Sequence, residues 1–218
     1  MNDTNVRENS PDTKERILDA TERLIATRGI EATSLRQITA EAQVNLAAVN
    51  YHFQTKDDLI VAVYLRRIRP MNAERLALLD ELEATYNNGK IPFPELLNAF
   101  YEPVVNMAQR LEAKGTPIGV MLGRLYTEPV DHLNKLWMEE MATVVGRFAM
   151  AFQRAAPTLS REEVFWRMWF SVGVIAHTMG AGPKLAMASR GLVNVGDREE
   201  VLRRMIQFAT AAWEAPAL

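Results

Sequence analysis

Three short helical patterns follow one another between Ser10 and Lys56, with only a tight turn between the second and the third. In SPDTKERILDATERLIATRG, residues Ile17, Leu18, Thr21, Leu24 and Ile25 fall on one face at helical spacing. Ser10 or Thr13 can cap the start of this helix, and Gly29 stands where a C-terminal glycine stops one. A brief helix from about Ser34 to Ala42 comes next, with Thr33 as its expected cap and Leu35, Ile38 and Ala42 facing inward. The stretch VNLAAVNYHFQTK, from Val44 to Lys56, then holds a third helix capped by Asn45. It carries little charge, ends in a polar-aromatic cluster and is followed at once by lysine. Thr55 and Asp58 form a capping-box-like start for a long helix through DDLIVAVYLRRI, which Pro70 is expected to bend or break before MNAERLALLDELEA.

The pattern stays helical beyond YNNGKIPFP. Helices are expected at about 94–113, 117–127, 129–155, 161–180 and 197–214, with NNG, KGTP, the turn at 156–158 and GAGPKLAMASRGLVNVGD as punctuation. No alternation of period two argues for a strand, so the fold class is all-α. Among 218 residues, 48% are hydrophobic, which suits a globular chain with a proper core. There are no cysteines, so disulfides and thiolate metal sites are excluded, and neither a metal nor a cofactor is expected. The polar start MNDTNVRENSPD does not read as a signal peptide, and no stretch approaches the ~20 apolar residues that span a bilayer. A cytoplasmic protein with no membrane partner is the expectation.

The closely spaced second and third helices suggest a helix-turn-helix, whose second helix enters the major groove of duplex DNA. Bulky charge there would hold the backbone away. Ala47 and Ala48 permit close approach, and the methyl groups of Leu46 and the alanines can touch thymine methyls. Asn50 and Tyr51 lie about one turn further on, and Lys56 opens the next helix, where a cation and a helix N-terminus can face one phosphate backbone. A net charge of −2 supplies no global attraction to a polyanion, so any contact must come from a local patch.

The segment TKERILDATERLIATRGIEATSLRQITAEAQVNLAAVNYHFQTKDDLI resembles the DNA-binding domain of TetR-family transcriptional regulators over about residues 13 to 63. The likeness rests on the opening helix with its RGI, on Thr-Ser-Leu-Arg-x-Ile, on Tyr51 and Phe53, and on Lys56 to Leu59. VNLAAVNYHF and GRLYTEPVDHL are similar to the fatty-acid-responsive PsrA-like branch of that family. The resemblance implies a homodimer that binds a palindromic operator and releases it when a small molecule enters the C-terminal bundle. It also implies phosphate contacts from Thr33, Ser34, Asn50, Tyr51 and Lys56. Base reading would fall to Asn45, Leu46, Ala47 and Ala48, with Arg36 at a base or phosphate. One departure is Gln43, which occupies a turn position where the family often has glycine. If its φ is positive, the cost is about 1 kcal/mol relative to glycine. Val49, Phe53 and Leu59 read as plain core, and His52 as a surface histidine.

Lys14, Arg36 and Lys56 are the candidate cations near the groove. If two or three per monomer neutralise phosphates, a dimer releases roughly four to six counterions, giving a log–log salt slope of about −4 to −5. With no arginine or lysine on the recognition helix, the expected half-site is A/T-rich, any guanine being read by Arg36.

Residues 1–10 thus read as a disordered tail, 11–56 as the DNA-binding head, and 57–218 as a ligand-binding and dimerisation unit, with 57–69 as the connecting helix. The segment 161–180 is apolar over most of its circumference and needs partners on both sides. Together with 197–214 it is expected to form a two-fold four-helix contact through Trp169, Val172, Ala176, Met205, Ala209 and Trp213. Candidate effector contacts are Phe100, Val104, Met107, Met121, Arg124, Leu125, Phe148 and His177, a methionine-rich apolar lining with a few polar groups. Such a lining suits a fatty acid or acyl-CoA. The alternatives are a different apolar effector, as in a regulator of efflux or xenobiotic response, and a helical lipid carrier with no DNA role, which leaves the first 60 residues without purpose. No glycine-rich phosphate loop, GxSxG or HExxH marks an enzyme.

Overall fold

A computed structural model of the chain describes residues 11–113 and 131–217. Eight helices occupy the described residues, and no strand does: α1 (Pro11–Arg28), α2 (Leu35–Ala42), α3 (Leu46–His52), α4 (Lys56–Thr85), α5 (Phe93–Glu112), α6 (Asp131–Ala155), α7 (Arg161–Ala188) and α8 (Arg198–Glu214). The expected helix at 117–127 and the Ser10 cap lie outside the described residues.

Caps set most of the boundaries. Ser34, rather than Thr33, caps α2: its Oγ accepts from the Gln37 amide at 3.3 Å, and Gln37 Oε1 accepts from the Ser34 amide at 2.8 Å. Thr33 is buried, and its hydroxyl donates to the Gly29 carbonyl at 2.7 Å, closing the turn after α1. Thr13 lies inside α1 as a buried helical residue and is not its cap. Asn45 caps α3 as expected, its Oδ1 accepting from the Ala48 amide at 2.8 Å. The Thr55–Asp58 box opens α4.

Three prolines fail to stop their helices. α4 runs unbroken through Pro70 to Thr85, α5 through Pro103 to Glu112, and α7 through Pro183 to Ala188, beyond the expected end at 180. An internal proline costs about 3 kcal/mol. Against that, α4 fully buries Leu59, Val63, Tyr64, Ile68 and Leu79, each worth about 1.5–3 kcal/mol. Packing on several sides wins.

The long helix belongs to both halves of the molecule. Its first turns complete the core of the head, where Leu59, Ile60 and Val63 join Ile17, Leu24, Ile38, Val49 and Phe53. Its later turns pack between α5 and α6. Ion pairs fix it at each level. Glu22 of α1, nearly buried, receives Arg67 in two hydrogen bonds of 2.9 Å and Arg66 in one of 2.5 Å. Arg66 also reaches Asp19 and Glu15. Further along, Arg69 meets Glu140, and Arg147 bridges Asp80 and Glu83.

Candidate nucleic-acid interface and effector bundle

The helix expected to read DNA, α3, is only 7 residues long, and its two faces differ sharply. Val49, at 1% exposure, and Ala48, at 2%, turn into the head. Ala48 therefore drops out as a base-reading residue: one step of helical phase turns it inward beside Val49. The outward face carries Leu46, Ala47, Asn50 and Tyr51, with Leu46 51% and Tyr51 68% exposed. The Tyr51 ring leans edge-on against His52, which is itself half-buried.

The flanking residues arrange themselves around this face. Arg36 is exposed on α2. Ser34 is exposed too, with its hydroxyl engaged in the capping box. Thr33 drops out of the phosphate set because it is 1% exposed and bonded to Gly29. Lys56 is half-buried, and its ammonium donates to the Ile30 carbonyl at 3.1 Å. That bond ties the end of the Gly29 turn to the start of α4, and an ammonium has two further N–H groups. Lys14 stands 5.9 Å from the centre of the Phe53 ring.

Gln43 adopts φ 53° and ψ 49°, the left-handed conformation that favours glycine. The chain holds it there with Arg16, a residue that no sequence signal singles out. The Arg16 guanidinium donates to the carbonyls of Ala42 at 2.7 Å and Gln43 at 2.8 Å, across the turn between α2 and α3.

In the bundle, Phe100, Val104, Met107 and Phe148 are all buried in the core. Phe100 and Phe148 meet edge-to-face at 5.0 Å. Arg75, absent from the sequence-derived set, is fully buried beside them. Its Nε donates to the Phe100 carbonyl at 2.9 Å, and its guanidinium lies 4.5 Å from the Phe100 ring centre. A signal for it existed: Arg75 continues the inward stripe of Ile68, Met71 and Leu79 at helical spacing. Tyr101 donates to the Ser171 carbonyl at 3.1 Å, and burial pushes its phenol up to about 12, so it stays protonated at neutral pH. His177 is not part of this cluster. It lines a groove between α7 and α8 with Val174, Leu185 and Phe208. Met121, Arg124 and Leu125 lie outside the described residues.

The expected dimer residues divide. Trp169 is 59% exposed and Ala176 half-buried, but Val172, Met205, Ala209 and Trp213 are buried inside the protomer. Trp213 stacks on Phe152 at 4.1 Å and 9°, and its indole N–H donates to Ser171 Oγ. Arg167, also buried, caps α8 through the carbonyls of Ala212, Trp213 and Ala215. The apolar stripe of α8 is thus used internally. The large apolar side chains that α7 and α8 leave in solvent are Phe165, Trp166, Trp169, Phe170, Leu185, Met187 and Phe208.

Comparisons with known proteins agree with this architecture. Residues 17–63 match the family model described as bacterial regulatory proteins, tetR family, and residues 98–212 match the tetracyclin repressor-like C-terminal domain. The chain is 40% identical over 57 residues to the nicotine-responsive transcriptional repressor HdnoR of Paenarthrobacter nicotinovorans, covering 26% of this chain and 29% of that protein. It is 37% identical over 98 residues to the transcriptional repressor Rv3405c of Mycobacterium tuberculosis, covering 43% of this chain and 50% of that protein. The matches therefore span half or less of these curated relatives. A bacterial regulatory protein of the tetR family from Rhodococcus RHA1 superposes with a TM-score of 0.60 at 16% identity, over 95% of this chain and 100% of that one. No helix among the described residues is long and apolar enough to cross a membrane.

Proposed function

The chain belongs to the TetR family of transcriptional regulators, which are DNA-binding proteins and not enzymes, and from that premise we propose that it is a dimeric repressor. It holds an inverted-repeat operator and releases it when an apolar small molecule enters the bundle.

The outward face of α3 carries the DNA-binding half of this reading. Leu46, Ala47, Asn50 and Tyr51 are exposed and uncharged, while Val49 and Phe53 anchor the helix from behind. Such a face slides close to base edges, with methyls for thymine and amide and phenol groups for the groove edge and phosphate. Arg36 and Lys56 supply cations on either side. Replacing Asn50 and Tyr51 together by alanine is expected to abolish operator binding with helicity and dimer mass unchanged; retained operator affinity would remove α3 from the interface. Selection from random duplexes is expected to return A/T-rich half-sites about one helical turn apart (roughly 34–36 Å). The salt dependence is expected to have a log–log slope of about −4 to −5, and a slope near −10 would mean that other cations contact DNA.

The effector reading is supported by the buried cluster of Phe100, Val104, Met107 and Phe148, with the Arg75 cation held among them. An apolar body with an acidic end, such as a fatty acid or acyl-CoA, matches that combination. A different apolar effector, as in a regulator of efflux or xenobiotic response, is the second reading. Entry between α5 and α6 would shift α4, which carries the head on the Glu22–Arg66–Arg67 cluster. The effector acts only through its different affinity for the two head spacings, and strong derepression needs a difference of about 5 kcal/mol. Mass spectrometry of co-purified ligand, followed by operator release with that compound, tests this half separately. Release by aromatic drugs and not by acyl chains would overturn the acyl assignment alone.

A further inference from the structure

The outward stripe of α7 changes character halfway along. Its first half is bulky: Phe165, Trp166, Trp169 and Phe170 are 43%, 52%, 59% and 62% exposed. Between Gly173 and Ala181 the stripe is smaller, with Ala176, Gly180 and Ala181 beside His177, before Leu185 and Met187 near the end of the helix. Gly173 needs no glycine for its backbone, since the positive-φ glycines of the described residues are Gly29 and Gly191. A Cβ added at Gly173 meets nothing within 4 Å in the protomer. Glycine inside a helix is destabilising relative to alanine, so its use here has no explanation within one chain.

We infer that a second copy of the chain lies antiparallel across α7, with the two-fold axis passing at Gly173. This rests on the dimer proposed above and fixes its register. In a two-fold contact, residues equally far before and after the axis face each other. Phe170 then meets the partner's Ala176, Trp169 the partner's His177, Trp166 the partner's Gly180, and Phe165 the partner's Ala181. Every bulky residue faces a small or planar one. The charges agree as well: Glu162, exposed in the first turn, faces the partner's Lys184, also exposed, and neither is ion-paired within the protomer among the described residues.

The small half also borders a receptacle. His177 and Ala181 line the groove between α7 and α8, about 430 Å³ and apolar, with Leu185 and Phe208 on its walls. In the Gly173 register, the two positions opposite Trp169 and Phe165 are the ones that open into this groove. A partner's aromatic side chains would fill it, and Phe208, 68% exposed in the single chain, would be covered by them.

The chain has no cysteine, so single-cysteine variants report contacts cleanly. Helices in contact lie about 8–10 Å apart, which leaves Cα atoms facing across an axis roughly 3–5 Å apart, near the disulfide range. Mild oxidation of the Gly173→Cys variant is expected to give a covalent dimer at least ten times faster than that of Gly180→Cys or Trp166→Cys. Glu162→Lys and Lys184→Glu are each expected to raise the dimer dissociation constant several-fold, and the double variant to restore it. If light scattering shows a dimer but Gly173→Cys fails to cross-link, or cross-links no faster than Gly180→Cys, the register is overturned and the dimer stands. If the unaltered protein is a monomer at micromolar concentration, register and dimer fall together.

Discussion

The outward faces of α3 and α7 both show apolar side chains to water, and they do so in opposite ways. On α3 a single leucine, Leu46, is interleaved with Ala47, Asn50 and Tyr51. On α7 four large aromatic residues adjoin, with Trp166 stacked on Phe170 at 5.8 Å. Scattered exposed apolar residues are ordinary, but a contiguous apolar patch marks a surface that another apolar surface covers. The first face suits a hydrated, polar partner that must be left and rejoined. The second suits a partner that stays. On the proposed reading, one molecule carries a reversible contact and a permanent one, with α4 between them.

The largest effect separating the two faces is expected at α7. Glutamate at both Trp166 and Trp169 places charge in the aromatic strip without touching the protomer core, because both side chains are more than half exposed. The dimer is expected to dissociate, and operator affinity to fall about a thousandfold or more as two half-sites lose simultaneous engagement. Sedimentation with a labelled operator reads both quantities. A dimer of unaltered strength would place the permanent contact elsewhere and erase the distinction between the faces.

Next in size is the joint between head and long helix. Glu22→Ala leaves Arg66 and Arg67 facing each other without the carboxylate that holds both. Arg66 feels burial most strongly, which lowers its pKa, yet hydrogen bonds and charges from Glu22 and Asp19 together raise it above the ordinary guanidinium value. Removing one partner of a mostly buried cluster costs about 3 kcal/mol, or roughly 6–12 °C in melting temperature for a chain of this size. The loss is expected in the head, leaving dimer mass unaffected. A melt unchanged by this substitution would mean that packing alone holds α1 on α4.

Reading these faces from residues alone succeeded where a local rule decides and failed where phase or tertiary packing does. Thr55 with Asp58, Asn45 and Gly29 marked their boundaries because a cap is a contact within a few residues. Thr33 lost the cap of α2 to Ser34 by one position, and the signal was present: only Ser34 has glutamine three residues on to complete the box. Ala48 was assigned outward because a seven-residue helix holds barely two turns, too few for periodicity to fix its phase. In α7, apolar side chains all round gave no sign of which side lies inside. That choice is made by Arg167 and Ser171, which turn inward to cap α8 and hold Trp213. Hence Trp213, Met205 and Ala209 went into the core, and Phe165, Trp166, Trp169 and Phe170 became the exposed strip. Pro70 and Pro183 carried a correct local cost that burial outweighed.

The smallest effect concerns the turn that aims α3. Gln43 sits in a left-handed conformation that costs a non-glycine residue about 1 kcal/mol. Arg16 bonds the carbonyls on both sides of that strain and holds the angle between α2 and α3. Hydrogen bonds from a charged donor contribute about 1.5–3 kcal/mol when buried, and less here because Arg16 is exposed. Arg16→Ala is therefore expected to weaken operator binding about tenfold while dimer mass stays the same. Gln43→Gly removes the strain that the clamp opposes, so it is expected to raise the melting temperature slightly and to recover part of the affinity lost with Arg16. Recovery is the informative readout: a lost phosphate contact cannot be restored by a glycine that touches no DNA. If Arg16→Ala costs the same affinity whether position 43 is glutamine or glycine, Arg16 meets the phosphate backbone directly. The α3 face would then hold its angle without help from α1.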